Sequence, residues 1–418
     1  MNLTDGFDLI DPSAYAKNGQ PHEAWTALRK HSPVHRCEPR NYEPFWAITR
    51  HADICEISKA PHKFLNAPGI FHSSKDVQVT RDEGVGAMRT IIEMDPPEHR
   101  SFRKVAAPWF TPRALGRIDE EVDRSAREIV DKLASQSASG EGECDFAIDV
   151  AAAHPLRILS SVLGVSREQE PQILRLTNQL FASDDADLQR PGVSREQAIR
   201  ELGLELFQLF NAIIEDRRRN PRDDLATVLA HGQVDGQPMG PLETFGYYLI
   251  TFTAGHDTTK NALAGGMRAL IDNPDQLALL RKHPELVPSA VEEIVRWATP
   301  VNYMRRQAAC HTEVGSRRIS KGEWLVLFYA SANRDEDVFD RPFRFEIDRD
   351  PNRHLGFGHG EHFCLGAHLA RRSQRALFGE LARRLEHVEL TGEPEWIQSS
   401  FVVGYKKLPI RYRIARGA

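Results

Sequence analysis

Phe357-Gly-His-Gly-Glu-His-Phe-Cys364-Leu-Gly366 sets one cysteine in a glycine-punctuated loop, and a strongly helical run over 367–385 follows at once. The spacing places Cys364 near a helix N-terminus, where partially positive backbone N–H groups favour thiolate over thiol. Gly358, Gly360 and Gly366 are expected to admit positive φ and to let a flat ligand lie against the main chain. A lone thiolate held this way suits a single iron inside a macrocycle, whereas zinc wants about four protein ligands. His354, His359, His362 and His368 crowd the cysteine and keep a zinc site or a purely structural loop open as alternatives. Against zinc, the sequence has no Cys-x-x-Cys pair, and a His and a Cys two positions apart are unlike finger spacing.

The 418 residues can bury an extensive core, and no linker, repeat or low-complexity tract divides them, so one domain over 1–418 is expected. A hydrophobic content of 41% and a charged content of 27% are those of a soluble globular chain. The net charge of −5 argues against bulk nucleic-acid binding. The first residues lack the basic and apolar regions of a signal peptide, and no apolar segment approaches the ~20 residues of a membrane span. Five scattered cysteines fit reduced thiols, and a cytoplasmic location is the expectation.

Helical periodicity dominates, predicting a mainly α chain with small β-sheets. Helices are expected over 21–30, 52–60, 97–109, 116–136, 150–163, 168–182, 194–219, 242–271, 275–282 and 287–298. Short strands are expected over 45–49, 324–328 and 409–414. The aperiodic stretch 66–90 reads as a functional loop. The helix over 242–271 would be ~45 Å long and must cross the body of the protein. Gly255 and the threonines around it weaken helix propensity at its centre, which predicts local opening for a ligand.

The spacing Phe-x-x-Gly-x-x-x-Cys-x-Gly (Phe357, Gly360, Cys364, Gly366) resembles the haem-ligand loop of the cytochrome P450 monooxygenases. Companion motifs extend the resemblance over nearly the whole chain. It implies the P450 fold, with haem b between the long central helix and the helix after the cysteine, and Cys364 as axial iron ligand. Phe357, Gly366, Ala254 and Gly255 would border the cofactor. Asp257-Thr258 resembles the family's acid–alcohol pair, with Thr258 the hydrogen-bonding hydroxyl, Asp257 the proton relay and Thr259 bonding back to the helix. His99 and Arg103, four apart on one helix face, resemble propionate partners, and Arg306 and His362 match two more such positions. Glu293-Ile-Val-Arg296 resembles the structural Glu-x-x-Arg pair, which Arg334 or Arg344 would complete. His256 and Lys260 depart from the pattern beside the acid–alcohol pair.

The resemblance points to the soluble bacterial branch that oxidises terpenoids, sterol side chains or branched lipids. The implied pocket draws on Phe71, Ile250, Ala254, Val301, Met304, Phe401 and Val402. Electrons are expected from a separate ferredoxin and ferredoxin reductase, since no segment reads as a flavin domain. The ferredoxin would dock near Arg100, Lys104, Arg113, Arg371, Arg372 and Arg375. A monomer using O2 is expected. A peroxide-driven peroxygenase and a non-catalytic haem sensor are the competing functions.

Overall fold

The computed structural model describes residues 4–75, 90–136, 139–181, 185, 187 and 192–415. Most of the expected loop over 66–90, and the end of the helix expected over 168–182, lie outside them. The mainly helical reading with small sheets is borne out. Helix boundaries fall within a few residues of expectation, and the strands Trp324–Phe328 and Pro409–Ile414 match it end for end.

The long helix runs from Pro241 to Asp272, 32 residues or ~48 Å. Pro241 starts it, and the Glu243 carboxylate accepts the Gly240 N–H at 2.7 Å. Asn273 ends it, its amide donating back to the Ala269 carbonyl at 2.8 Å. The predicted opening at the centre is not present: the helix continues unbroken through 251–259. The threonine hydroxyls close back onto their own turn, Thr251 to Tyr247 O at 2.8 Å, Thr253 to Leu249 O at 2.7 Å and Thr258 to Ala254 O at 2.5 Å. Side chains thus absorb the polarity that suggested a gap. The expected back-bond from Thr259 is made by Thr258 instead.

Three helices position the site against this one: Ala153–Leu163, Val287–Ala298 and Ala367–Arg384. To one side lies a five-stranded sheet in the order Val34–Cys37, Phe45–Ile48, Trp324–Phe328, Tyr303–Ala308, Phe64–Leu65. Trp324–Phe328 runs parallel to Phe45–Ile48 and antiparallel to Tyr303–Ala308, and all five of its residues are buried. Continuous apolarity there follows from its central place in the sheet. A three-stranded sheet, Leu385–Leu390, Pro409–Ile414 and Glu141–Asp145, closes the C-terminus. Among the described residues, no helix is long and apolar enough to cross a membrane.

Candidate active site

The cysteine loop is built by its backbone. Gly358 and Gly360 adopt φ of 72° and 70°, and a Cβ on Gly360 would lie 2.2 Å from the Ser58 carbonyl oxygen. Gly366 does not share that conformation. Its φ is −86°, because it serves as the N-cap of Ala367–Arg384. The Cys364 N–H donates to the Phe357 carbonyl at 2.9 Å, which ties the two ends of the loop together. The Arg371 guanidinium stacks 4.3 Å from the Phe357 ring centre.

Cys364 lines a cavity of about 240 Å³ bordered by the long helix, the cysteine loop and the Tyr303–Ala308 strand. Its sulfur is open to that cavity yet set deep among protein atoms. Burial pushes its thiol up, opposed by the Gly366 backbone and by the charges of Arg103 and Arg371. The helix-terminus argument therefore gives only part of the answer. A low-dielectric surrounding favours the neutral thiol, and a metal cation would reverse that preference.

Ala254, Gly255 and Thr258 line the same cavity, as do Phe357, Gly366, Ile250, Val301 and Met304. Asp257 does not. It is 4% exposed and turned off the cavity, with one carboxylate oxygen 3.4 Å from His256 Nδ1 and the other without a partner. Three expected pocket residues also stand back from the wall. Phe71 and Phe401 pack on each other with ring centres 5.7 Å apart, and Val402 forms a β-bridge with Val301. Of the three, Val402 backs the wall directly, through Val301.

His99, Arg103, Arg306 and His362 converge on the cavity. The His99 and His362 rings are 4.1 Å apart, and His362 Nε2 is buried without a partner among the described residues. Burial, then the charges of Arg306, His99 and Arg103, push the His362 imidazolium down to about 2. Arg306 is buried and held down by desolvation; it donates to the Arg305 carbonyl at 2.8 Å and bonds Tyr329, with no carboxylate partner among the described residues. Of these four, His99 alone has a carboxylate within 4 Å among the described residues, Glu361 at 3.4 Å, which Arg100 also bonds at 2.9 Å. So many donors and cations around one cavity without their own anions fit a ligand carrying carboxylates. Together with a lone sulfur and a glycine-lined loop, they fit a haem.

The Glu293–Arg296 pair is different. Both are 0% exposed, and two bonds of 2.7 Å join them. Arg296 also donates to the carbonyls of Asn333, Pro342 and Arg344. The third member is Arg349, 3.1 Å from Glu293, not Arg334 or Arg344. Arg334 instead caps the end of the helix, donating to the carbonyls of Arg296 and Trp297 at 2.9 Å.

Tyr329, which bonds Arg306, and Tyr247, whose hydroxyl donates to Phe102 O at 3.1 Å, line the cavity and were missed. Ile158, Leu159 and Val162 line it too, but an apolar helix face toward a cavity reads in sequence like one toward a core.

A single cysteine shares one cavity with Arg103 and Arg306, which have no carboxylate partner among the described residues, beneath a helix that crosses the molecule, and this is the lining of a haem-binding protein. The cytochrome P450 family model matches residues 16–413, and the chain belongs to that family. Cytochrome P450-terp from Pseudomonas sp is 37% identical, over 97% of this chain and 96% of that protein. Steroid C26-monooxygenase from Rhodococcus jostii is 35% identical, over 100% of this chain and 87% of that protein. The crystal structure of CYP108D1 from Novosphingobium aromaticivorans superposes with a TM-score of 0.89 at 37% identity, over 98% of each chain. The protein is a haem-binding P450 monooxygenase, an oxidoreductase.

Proposed function

We propose that the chain hydroxylates an apolar terpenoid or steroid, using O2 and two electrons from a separate ferredoxin and its reductase. The observation that carries this reading is the sharing of one cavity by Cys364, Thr258 and an apolar wall of Ile250, Val301 and Met304. Cys364 would ligate the iron of haem b, and His99, Arg103, Arg306 and His362 would hold its propionates. Bound there, the haem-thiolate supplies the oxygen-inserting chemistry that an unactivated C–H bond requires. The Thr258 hydroxyl, which can hold a proton at the cavity face, is parked on Ala254 O. Asp257 stands one residue back with an unpartnered oxygen, in reserve for proton delivery.

The apolar wall selects its substrate by area and shape. Burying ~300 Å² at ~25 cal/mol/Å² gives ~7 kcal/mol, against association costs of at least ~4 kcal/mol. Relatives named cytochrome P450-terp and steroid C26-monooxygenase support those two substrate classes. The ferredoxin surface is narrower than the arginine count suggested. Arg100 is paired with Glu361, Arg371 and Arg375 with Glu292, and Arg372 with Asp119 and Asp123. Lys104 and Arg113 keep no carboxylate partner among the described residues and would carry the steering.

The test is turnover of a terpene and steroid panel with NADH, ferredoxin and reductase and no added peroxide. Hydroxylated product matched to NADH and a spin-state shift on binding support the reading. Product formed only with added peroxide overturns it in favour of a peroxygenase.

A further inference from the structure

Behind Thr258, on the side of the long helix away from the cavity, two ionisable side chains meet with one proton too few. His256 is 0% exposed, its ring stacked on Phe252 at a 21° interplanar angle. Its Nε2 lies 3.1 Å from the carbonyl oxygen of Ala152, in the π-helical turn Ala147–Ala152. A carbonyl oxygen only accepts, so Nε2 must carry a hydrogen. A neutral ring would then leave Nδ1 bare, and that nitrogen, which makes no hydrogen bond among the described residues, lies 3.4 Å from an Asp257 carboxylate oxygen. Two acceptors would face each other in a buried site, which the low dielectric makes costly. One added proton removes the conflict.

The surroundings offer no other resolution. On the packing elements, the Asp149 carboxylate accepts the Asp145 N–H, His154 bonds Ser125 and the Ser373 carbonyl, and Arg157 bonds Glu128. Lys406 is committed to Asp185 and Asp187. Lys260, one turn along the helix, is buried and makes no ion pair among the described residues. Among the described residues, no other group donates a hydrogen bond between His256 and Asp257.

We propose that His256 is the imidazolium partner of Asp257, a positioning residue that holds an exchangeable proton behind Thr258. This rests on the reading of Asp257 as the proton relay. While the ring is charged, its Nδ1–H holds the carboxylate off the cavity. When the proton passes from Nδ1 to Oδ1, both partners become neutral and the ion pair dissolves. The carboxylic acid is then free to turn toward the cavity and give the proton up. A hydronium proton from solvent, relayed by water, returns to Nδ1, and the starting charges are restored.

The direct test is 15N NMR of the labelled holoenzyme as its diamagnetic ferrous–carbonyl complex, with His256→Phe identifying the signals. The expected result is protons on both ring nitrogens in the wild type at pH 7, and a bare Nδ1 in Asp257→Asn, whose amide donates to the ring. A bare Nδ1 in the wild type overturns the proposal. In turnover, His256→Phe and His256→Gln should keep the thiolate-type carbonyl spectrum while coupled product falls about tenfold, with reductant diverted to peroxide. Gln keeps a donor for Ala152 O but no charge, so full coupling in His256→Gln shows a merely structural role and overturns the proposal. Full coupling in Asp257→Asn instead overturns the relay reading beneath it.

Discussion

Two buried charge clusters stand on either side of the cysteine loop, and they are built on opposite rules. Around Glu293 the carboxylate is answered within the chain: Arg296 and Arg349 bond it, the Glu346 N–H and the Asn352 amide fill it, and carbonyls take the other donors of those two arginines, while neighbouring Arg334 donates to carbonyls alone among the described residues. Around the cavity, among the described residues, Arg103 and Arg306 have no carboxylate partner, a ring nitrogen of His362 is orphaned, and Arg306 meets a carbonyl and a phenol. The first arrangement is a scaffold. The second is half of a site whose other half is a ligand. The balance of charge, more than its burial, separates framework from function.

Breaking each side should give a different pattern. The largest effect is expected from Cys364→His, which at best retains haem and should abolish monooxygenation, read as product per NADH; near-normal hydroxylation would contradict the assignment. Glu293→Gln leaves buried guanidinium charge uncompensated and should cost about 3–5 kcal/mol in urea unfolding, with or without haem. Arg306→Leu should do the reverse of a scaffold mutation. Haem retention, measured by transfer to apomyoglobin, should weaken by about 1.5–3 kcal/mol, while the haem-free chain should be no less stable. Equal losses in both forms would erase the distinction drawn above.

A smaller effect comes from buried histidines outside both clusters. Burial holds His72 and His154 down to about 4, each neutral and bonded to a backbone carbonyl. Their folded pKa lies below the unfolded one near 6.5, so the unfolded chain takes up the extra protons. Stability should be full above about pH 6.5 and fall toward pH 4 by up to about 1.4 kcal/mol per pH unit for each. His72→Gln should flatten that slope in urea midpoints taken at pH 7 and pH 5; an unchanged slope would remove His72 from the account.

Much of this was legible in the residues. The cysteine loop, the long helix and the four positions around the cavity stand in contiguous motifs, whose resemblance to the P450 pattern pointed to them. Orientation was not legible. Asp257 and Thr258 are neighbours in sequence but point to different faces, since successive residues on a helix turn by about 100°. Phe71 and Phe401 pack on each other rather than on the cavity, a tertiary choice no local pattern records. Arg349, rather than Arg334 or Arg344, reaches Glu293 because the chain after the helix doubles back, bringing residues 56 positions apart into contact. The arginines read as a docking patch are mostly tied to acids distant in sequence.

The most direct measurement is the absorption spectrum of the reduced protein under carbon monoxide. A band of the thiolate-ligated kind, lost in Cys364→His, is the predicted result. A protein that stays colourless when supplied with haem, or that shows imidazole ligation in the wild type, would contradict the assignment of Cys364 and the site built on it.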